Sequence, residues 1–167
     1  MSRQGLRCLA VLILIGSLFA MPLVAADMSG AEAKLAAQAQ AFSAAWAKDD
    51  AKGLAALFTE KGTLINPFGR LAAGRAAIET LFHDEHTTFM AGTRFDVKIA
   101  RVDWVTPDVA VVLWDVIVRG VAGPDGKKSD LPHQVTVVDH RVGGEWLAEA
   151  ARPVAYLPAP TPPPGKM

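Results

Sequence analysis

After Gly92 the hydrophobic pattern switches to a period of two and keeps it to Tyr156, and no other feature restricts the possible folds as tightly. Side chains alternate across a strand, so this stretch commits to β-structure. Phe95, Val97 and Ile99 alternate, and Val102 and Trp104 continue on the opposite parity. That phase slip predicts a bulge near Ala100–Arg101. Thr106-Pro107-Asp108 predicts a turn. Val109 to Val118 is apolar at both parities, as expected of a central strand. Gly120 to Ser129 reads as a polar loop and Gln134 to Val142 as another strand. Gly143-Gly144 forms a tight hairpin, and Glu145 to Tyr156 is the last strand.

The preceding segment has helical spacing. Leu35, Ala39, Phe42 and Trp46 fall on one face of a helix over about 29–49, with Ser29 as N-cap and Glu32 completing a capping box. Asp49-Asp50 opens a second short helix with Leu54, Leu57 and Phe58 on its apolar side and Gly62 at its end. Thr63 to Asn66 reads as a short strand stopped by Pro67. The chain then turns through Phe68-Gly69-Arg70-Leu71. A third helix runs over about 74–88, with Ile78, Leu81 and Phe82 inward. Helices segregated from antiparallel hairpins make an α+β layout. Three helices on the concave face of a strongly curved antiparallel sheet would enclose a cone with an apolar pocket and an open mouth.

Both ends stand apart from this domain, which spans residues 29–156. Residues 1–26 read as a signal peptide: Arg3 and Arg7, an apolar run from Leu9 to Phe19, and Val24-Ala25-Ala26 before Asp27. The sole cysteine, Cys8, would leave with it, which suits an oxidising compartment and argues for a periplasmic or secreted protein. No membrane contact is expected after cleavage. Residues 157–167 form a proline-rich tail that cannot continue a central strand and is expected to be extended and disordered. With 17 basic and 17 acidic residues, nothing suggests a nucleic-acid partner held by bulk charge.

The element order and its local phrases resemble the nuclear-transport-factor-2-like superfamily, and within it the SnoaL-like and SgcJ/EcaC-like proteins. The carrying residues are Ala41 to Asp50, Leu57-Phe58-Thr59-Glu60-Lys61-Gly62, Asn66-Pro67-Phe68-Gly69, Gly74-Arg75-Ala76-Ala77-Ile78, and Thr106 to Val112. The resemblance implies a cystatin-like roll, a homodimer through the sheet, and a pocket for a small molecule. The function it implies is broad, because this fold hosts isomerases, cyclases, hydrolases and binding modules.

Several residues are candidates for the site. Asn66 stands where related ketosteroid isomerases carry a general-base aspartate, but an amide cannot take that proton. It is either a polar ligand contact or a turn cap. Asp115 interrupts an apolar strand; it is either a catalytic base facing the cavity or turned toward an edge or a dimer partner such as Arg101 or Arg119. Trp114 has the opposite parity, so one of the two lines the cavity. His86, at a position where the family often has histidine, is a second catalytic or ligand-binding candidate. His133 shares the parity of Val135 and Val137. Arg152, if inward, would favour an anionic or carbonyl-bearing ligand. Trp46, Phe58, Phe68 and Trp114 are expected to line the pocket and suit a hydrophobic or aromatic ligand. His83 and His86 lack a third ligand, so no metal is expected. No phosphate-cradling loop appears, so no cofactor is expected. Three functions fit these residues: an exported small-molecule-binding protein; a cofactor-independent isomerase, cyclase or hydrolase working by proton transfer; or a homodimeric interaction protein.

Overall fold

The computed structural model describes residues 21–123 and 125–155, with side chains for 30–123 and 125–154. The first twenty residues of the expected signal peptide and the proline-rich tail lie outside them. The elements are α1 (Met21–Trp46), α2 (Ala51–Ala56), β1 (Phe58–Ile65), β2 (Leu71–Ala73), α3 (Arg75–His86), β3 (Arg94–Thr106), β4 (Val109–Ala122), β5 (Lys128–Val142) and β6 (Glu145–Ala155). The six strands form one curved, unclosed sheet in the order β2-β1-β6-β5-β4-β3.

The four long strands pair antiparallel as hairpins, as their period-two pattern requires. The β3–β4 register shifts between Ile99 and Arg101, at the expected phase slip. A second shift lies between Val138 and Asp139 against β6. Each bulge bends the strand that carries it, and together they curl the sheet. Gly143 and Gly144 join β5 to β6 at φ 62° and 88°, the pair of positive values that a tight hairpin demands.

Four expectations need correction. Phe58 begins β1 rather than extending the second helix. β1 pairs parallel to β6, so the sheet is mixed rather than wholly antiparallel. Gly62 lies inside β1, where the register shifts, and a Cβ there would sit 2.8 Å from the Ala148 carbonyl. The glycine that looked like a helix stop is instead a close approach of two strands. Finally, α1 passes through Ser29 without a break, so Ser29 is not its N-terminus. The capping residues matched a start signal, but the helical register continues upstream of them.

Leu71–Ala73 adds an edge strand after the turn at Asn66. Gly74, at φ 83°, breaks from β2 into α3. Arg75 donates through Nε and Nη2 to the Phe58 carbonyl at 3.1 and 2.6 Å, and pairs with Glu60 at 2.5 Å. The Gly-Arg phrase thus ties α3 to the irregular start of β1.

α1 lies across the concave face, touching β3 and β6, while α2 and α3 pack on each other. Its inward stripe holds Leu35, Ala39, Phe42 and Trp46, as the spacing predicts. Phe42 meets Trp46, Phe82, Phe95 and Trp114 at centroid distances of 5.5–6.1 Å. Trp46 donates its Nε1–H to Thr93 Oγ1 at 3.1 Å, and Thr93 donates on to the Met90 carbonyl. Trp46 therefore locks the α3–β3 connection to α1. Trp46→Ala should lower unfolding free energy by about 3–5 kcal/mol, read as a lower denaturant midpoint with an unchanged slope.

Candidate functional site

The concave face of the sheet and the undersides of the helices leave a cavity of about 140 Å³. An apolar cavity of roughly 150 Å³ is large enough to hold a benzene ring. Phe42, Trp46, Phe58, Phe82, Trp114 and Val137 form most of its interior. Its opening lies where Phe68, Phe89 and Leu131 reach solvent.

Sheet parity decides which β4 residue faces inward. Val112, Trp114, Val116 and Val118 are buried on the concave side, while Asp115 is exposed on the convex side. There Asp115 accepts from Gln134 Nε2 at 2.9 Å, its cross-strand neighbour. The expectation of Asp115 as a catalytic base in the cavity is therefore corrected. The outward alternative is the one its exposure matches, and within the chain Arg101 pairs with Asp103, and Arg119 with Asp96 and Asp130. Arg152 is corrected on the same ground. It alternates with Ala151 and Pro153, which line the cavity. Its guanidinium donates to the Thr63 carbonyl at 3.0 Å and to Thr63 Oγ1 at 2.9 Å, bracing β6 to β1.

His86 is buried but lies behind the lining rather than in it. Its ring lies tilted at 58° to that of Trp46, with centroids 4.2 Å apart, and its Nε2 is 3.9 Å from Asp49 Oδ1. Burial pushes its pKa down, against the pull of Asp49. Neither ring nitrogen has a hydrogen-bond partner among the described residues. His133 does line the cavity, edge-on to Phe95, with its Nδ1 unpartnered among the described residues. Burial lowers its pKa as well, so the ring is neutral near pH 7.

Asn66 fills the turn-capping role and stands at the cavity. Its Oδ1 accepts from the backbone N–H of Phe68 at 3.1 Å and of Arg70 at 2.8 Å, which fixes the turn. Its Nδ2 donates to Glu85 Oε1 at 3.0 Å at the cavity wall. Phe58 and Trp114 line the interior, and Phe68 stands at the mouth with 74% of its surface exposed.

Three polar residues of the site were missed from the sequence. Glu85 follows Ile78 by seven and Leu81 by four, so it shares their inward stripe and lines the cavity. Burial raises its pKa, with the Asn66 hydrogen bond opposing the rise. Gln38, three residues after Leu35, lies on the inner face of α1 and also lines the cavity. Its Nε2 donates to Asp139 Oδ1 at 2.9 Å. Asp139 has the buried parity of His133, Val135 and Val137, and is fully buried. In each case the signal was a polar residue in phase with an apolar stripe.

The Gln38–Asp139 pair is suited to a neutral acid. Gln38 Oε1 and Asp139 Oδ2 are both buried without a hydrogen-bond partner among the described residues. A proton on the carboxyl turns one of these unpartnered acceptors into a donor. Burial pushes the Asp139 carboxyl up to about 6. The folded state thus holds this proton more tightly than the unfolded chain. Its contribution to stability is greatest below the unfolded pKa and falls as pH rises through about 6. Asp139→Asn should be more stable than the parent above pH 6, by up to about 3 kcal/mol, with the advantage gone below about pH 4. Denaturant titrations of both chains across that range check it, and parallel pH profiles would refute it.

The profile of the SnoaL-like domain matches residues 39–149, most of the chain. Among proteins of curated function none matches. Solved structures do. An NTF2-like protein with a cystatin-like fold from Novosphingobium aromaticivorans superposes with a TM-score of 0.70 at 21% identity, covering 84% of this chain and 92% of that one. A cystatin-like domain of unknown function from Nostoc punctiforme gives 0.67 at 22% identity, covering 80% and 79%. A ketosteroid isomerase-like protein from Erwinia carotovora atroseptica gives 0.62 at 18% identity, covering 73% and 93%. The curved six-stranded sheet with three helices on it is the fold of these structures, and the matched span places this chain in the SnoaL-like domain family.

Proposed function

We propose that this chain is an exported protein that binds a small, neutral, ring-bearing molecule in the cavity between the helices and the sheet. The observation that carries the reading is the cavity itself: about 140 Å³, walled by aromatic and aliphatic side chains, with Asn66–Glu85, Gln38 and His133 as its polar points. Among the described residues no Lys or Arg lines it, and Glu85 would repel an anion. The anionic ligand that an inward Arg152 would have favoured is therefore disfavoured. Thermal-shift titrations with 2-naphthol, 2-methoxynaphthalene and 2-naphthoate test this. The two neutral compounds should raise the melting temperature with concentration and the carboxylate should not. A shift by naphthoate alone, or by none of the three, overturns it.

A second reading, catalysis by proton transfer without a cofactor, rests on Glu85 rather than on Asp115 or His86. Glu85 is the carboxyl in the cavity, its pKa is raised by burial, and Asn66 holds it in place. Enolisable cyclic ketones incubated in deuterated buffer should then exchange their α-protons faster with the parent chain than with Glu85→Gln. Equal rates would end the catalytic reading while leaving binding intact.

Export and self-association complete the proposal. The arginine-led apolar leader and the Ala26–Asp27 junction support the first. The convex sheet face supports the second, since Val111, Leu113, Ile117 and Val138 lie on it only partly covered. The exported chain should have a mass starting at Asp27 and sediment as a dimer, and Leu113→Glu should convert it to a monomer. A retained leader, or a monomeric parent, would refute the respective half.

A further inference from the structure

One turn sets up a polar point in the cavity wall. The Asn66 amide oxygen is fully used: it accepts from the backbone N–H of Phe68 at 3.1 Å and of Arg70 at 2.8 Å. The amide therefore has a single orientation, with its NH2 directed away from the turn, and that group donates to Glu85 Oε1 at 3.0 Å. The contact holds a buried carboxyl on the inward stripe of α3, where it lines the cavity. Arg70 is the cation whose charge reaches Glu85, and Asp84 engages it at 2.6 Å at the surface.

One carboxyl oxygen is thereby held and the other left over. Glu85 Oε2 accepts no hydrogen bond among the described residues. Gln38 Oε1 and His133 Nδ1 also lack partners there, but those two atoms are enclosed by protein and Glu85 Oε2 is not. Solvent can satisfy a carboxylate oxygen in such a place until a ligand enters. A ligand that offers no donor then leaves a buried charge without a hydrogen bond, which costs more than the bond itself is worth. A site built to meet a hydroxyl rejects the analogue that lacks one for this reason.

From this geometry we infer that Glu85 determines the specificity of the cavity: its Oε2 accepts a hydrogen bond from a hydroxyl on the ligand, so the site selects hydroxylated aromatic rings over apolar rings of the same size. The inference rests on the binding reading above and narrows it to one chemical class. The ring lies among the aromatic side chains of the interior, and the hydroxyl points to the side of the Asn66 turn, next to the mouth at Phe68. Burial weakens the competition from solvent, so the bond counts for more here than it would at a surface.

Two compounds of one shape test it on the parent chain. 2-Naphthol and 2-methylnaphthalene differ by a hydroxyl for a methyl, and burial of apolar area alone would favour the methyl compound. Fluorescence titration should instead give 2-naphthol a Kd at least about tenfold lower. Carbon-13 NMR of the Glu85 carboxyl, assigned by its loss in Glu85→Gln, gives an independent measurement on the same chain. A hydrogen bond donated to the charged form lowers a carboxyl pKa, whereas an apolar ring that excludes solvent raises it. The Glu85 pKa should therefore be lower in the 2-naphthol complex than in the 2-methylnaphthalene complex. In Glu85→Met the preference for 2-naphthol should disappear, and the two measurements on the parent decide the matter if that variant does not fold. Equal Kd values, or tighter binding of the methyl compound, overturn the inference and leave the binding reading in place. Binding of neither compound removes both. A preference that survives in Glu85→Met, or a Glu85 pKa that is the same in the two complexes, assigns the hydroxyl to another partner and overturns it.

Discussion

Everything in this molecule is arranged around the contact between one aromatic ridge and one curved sheet. Phe42 and Trp46 project from α1 into the hollow of β3–β6, and rings from α3, β3 and β4 close on them from three sides. Edge-to-face packing of this kind holds rings several ångströms apart at fixed angles, so it sets how far the helix stands off the sheet. That stand-off is the height of the cavity. Bulges at Ala100 and at Glu149 supply the curvature that lets four strands reach around the ridge.

Much of this architecture was written in the periodicity. The change to alternation at Gly92 located four strands, and the slip at Ala100 located a bulge. The spacing of Leu35, Ala39, Phe42 and Trp46 named the buried face of α1. What misled was local. Leu57-Phe58 continued an apolar helical side, but the chain becomes a strand there because its backbone can pair with β6 at Ala148. That partner lies ninety residues ahead, and no window of sequence around Phe58 contains it.

The site was legible in part and for a definable reason. Trp46 and Trp114 lie on buried stripes and stand in the cavity wall, and the strict alternation of β4 meant that Trp114 and Asp115 could not both face inward. Attention to isolated charge drew Asp115 and Arg152 into the site, yet both sit on the parity of the convex face. Residues in phase with the apolar stripes, Gln38, Glu85 and Asp139, were the ones enclosed. A polar residue that keeps the hydrophobic register is buried by its neighbours, whatever its own preference. One that breaks register points to solvent.

The strands and helices provide the hollow, but the opening is made from connections: the Asn66–Arg70 turn, the segment after α3, and the exit of β6. None of these carries the ring cluster. The shape of the opening is therefore set by different residues from those that hold the helix on the sheet. The Asn66–Arg70 turn can thus be reshaped without touching the ring cluster, whereas the segment after α3 cannot, because Thr93 anchors it to Trp46.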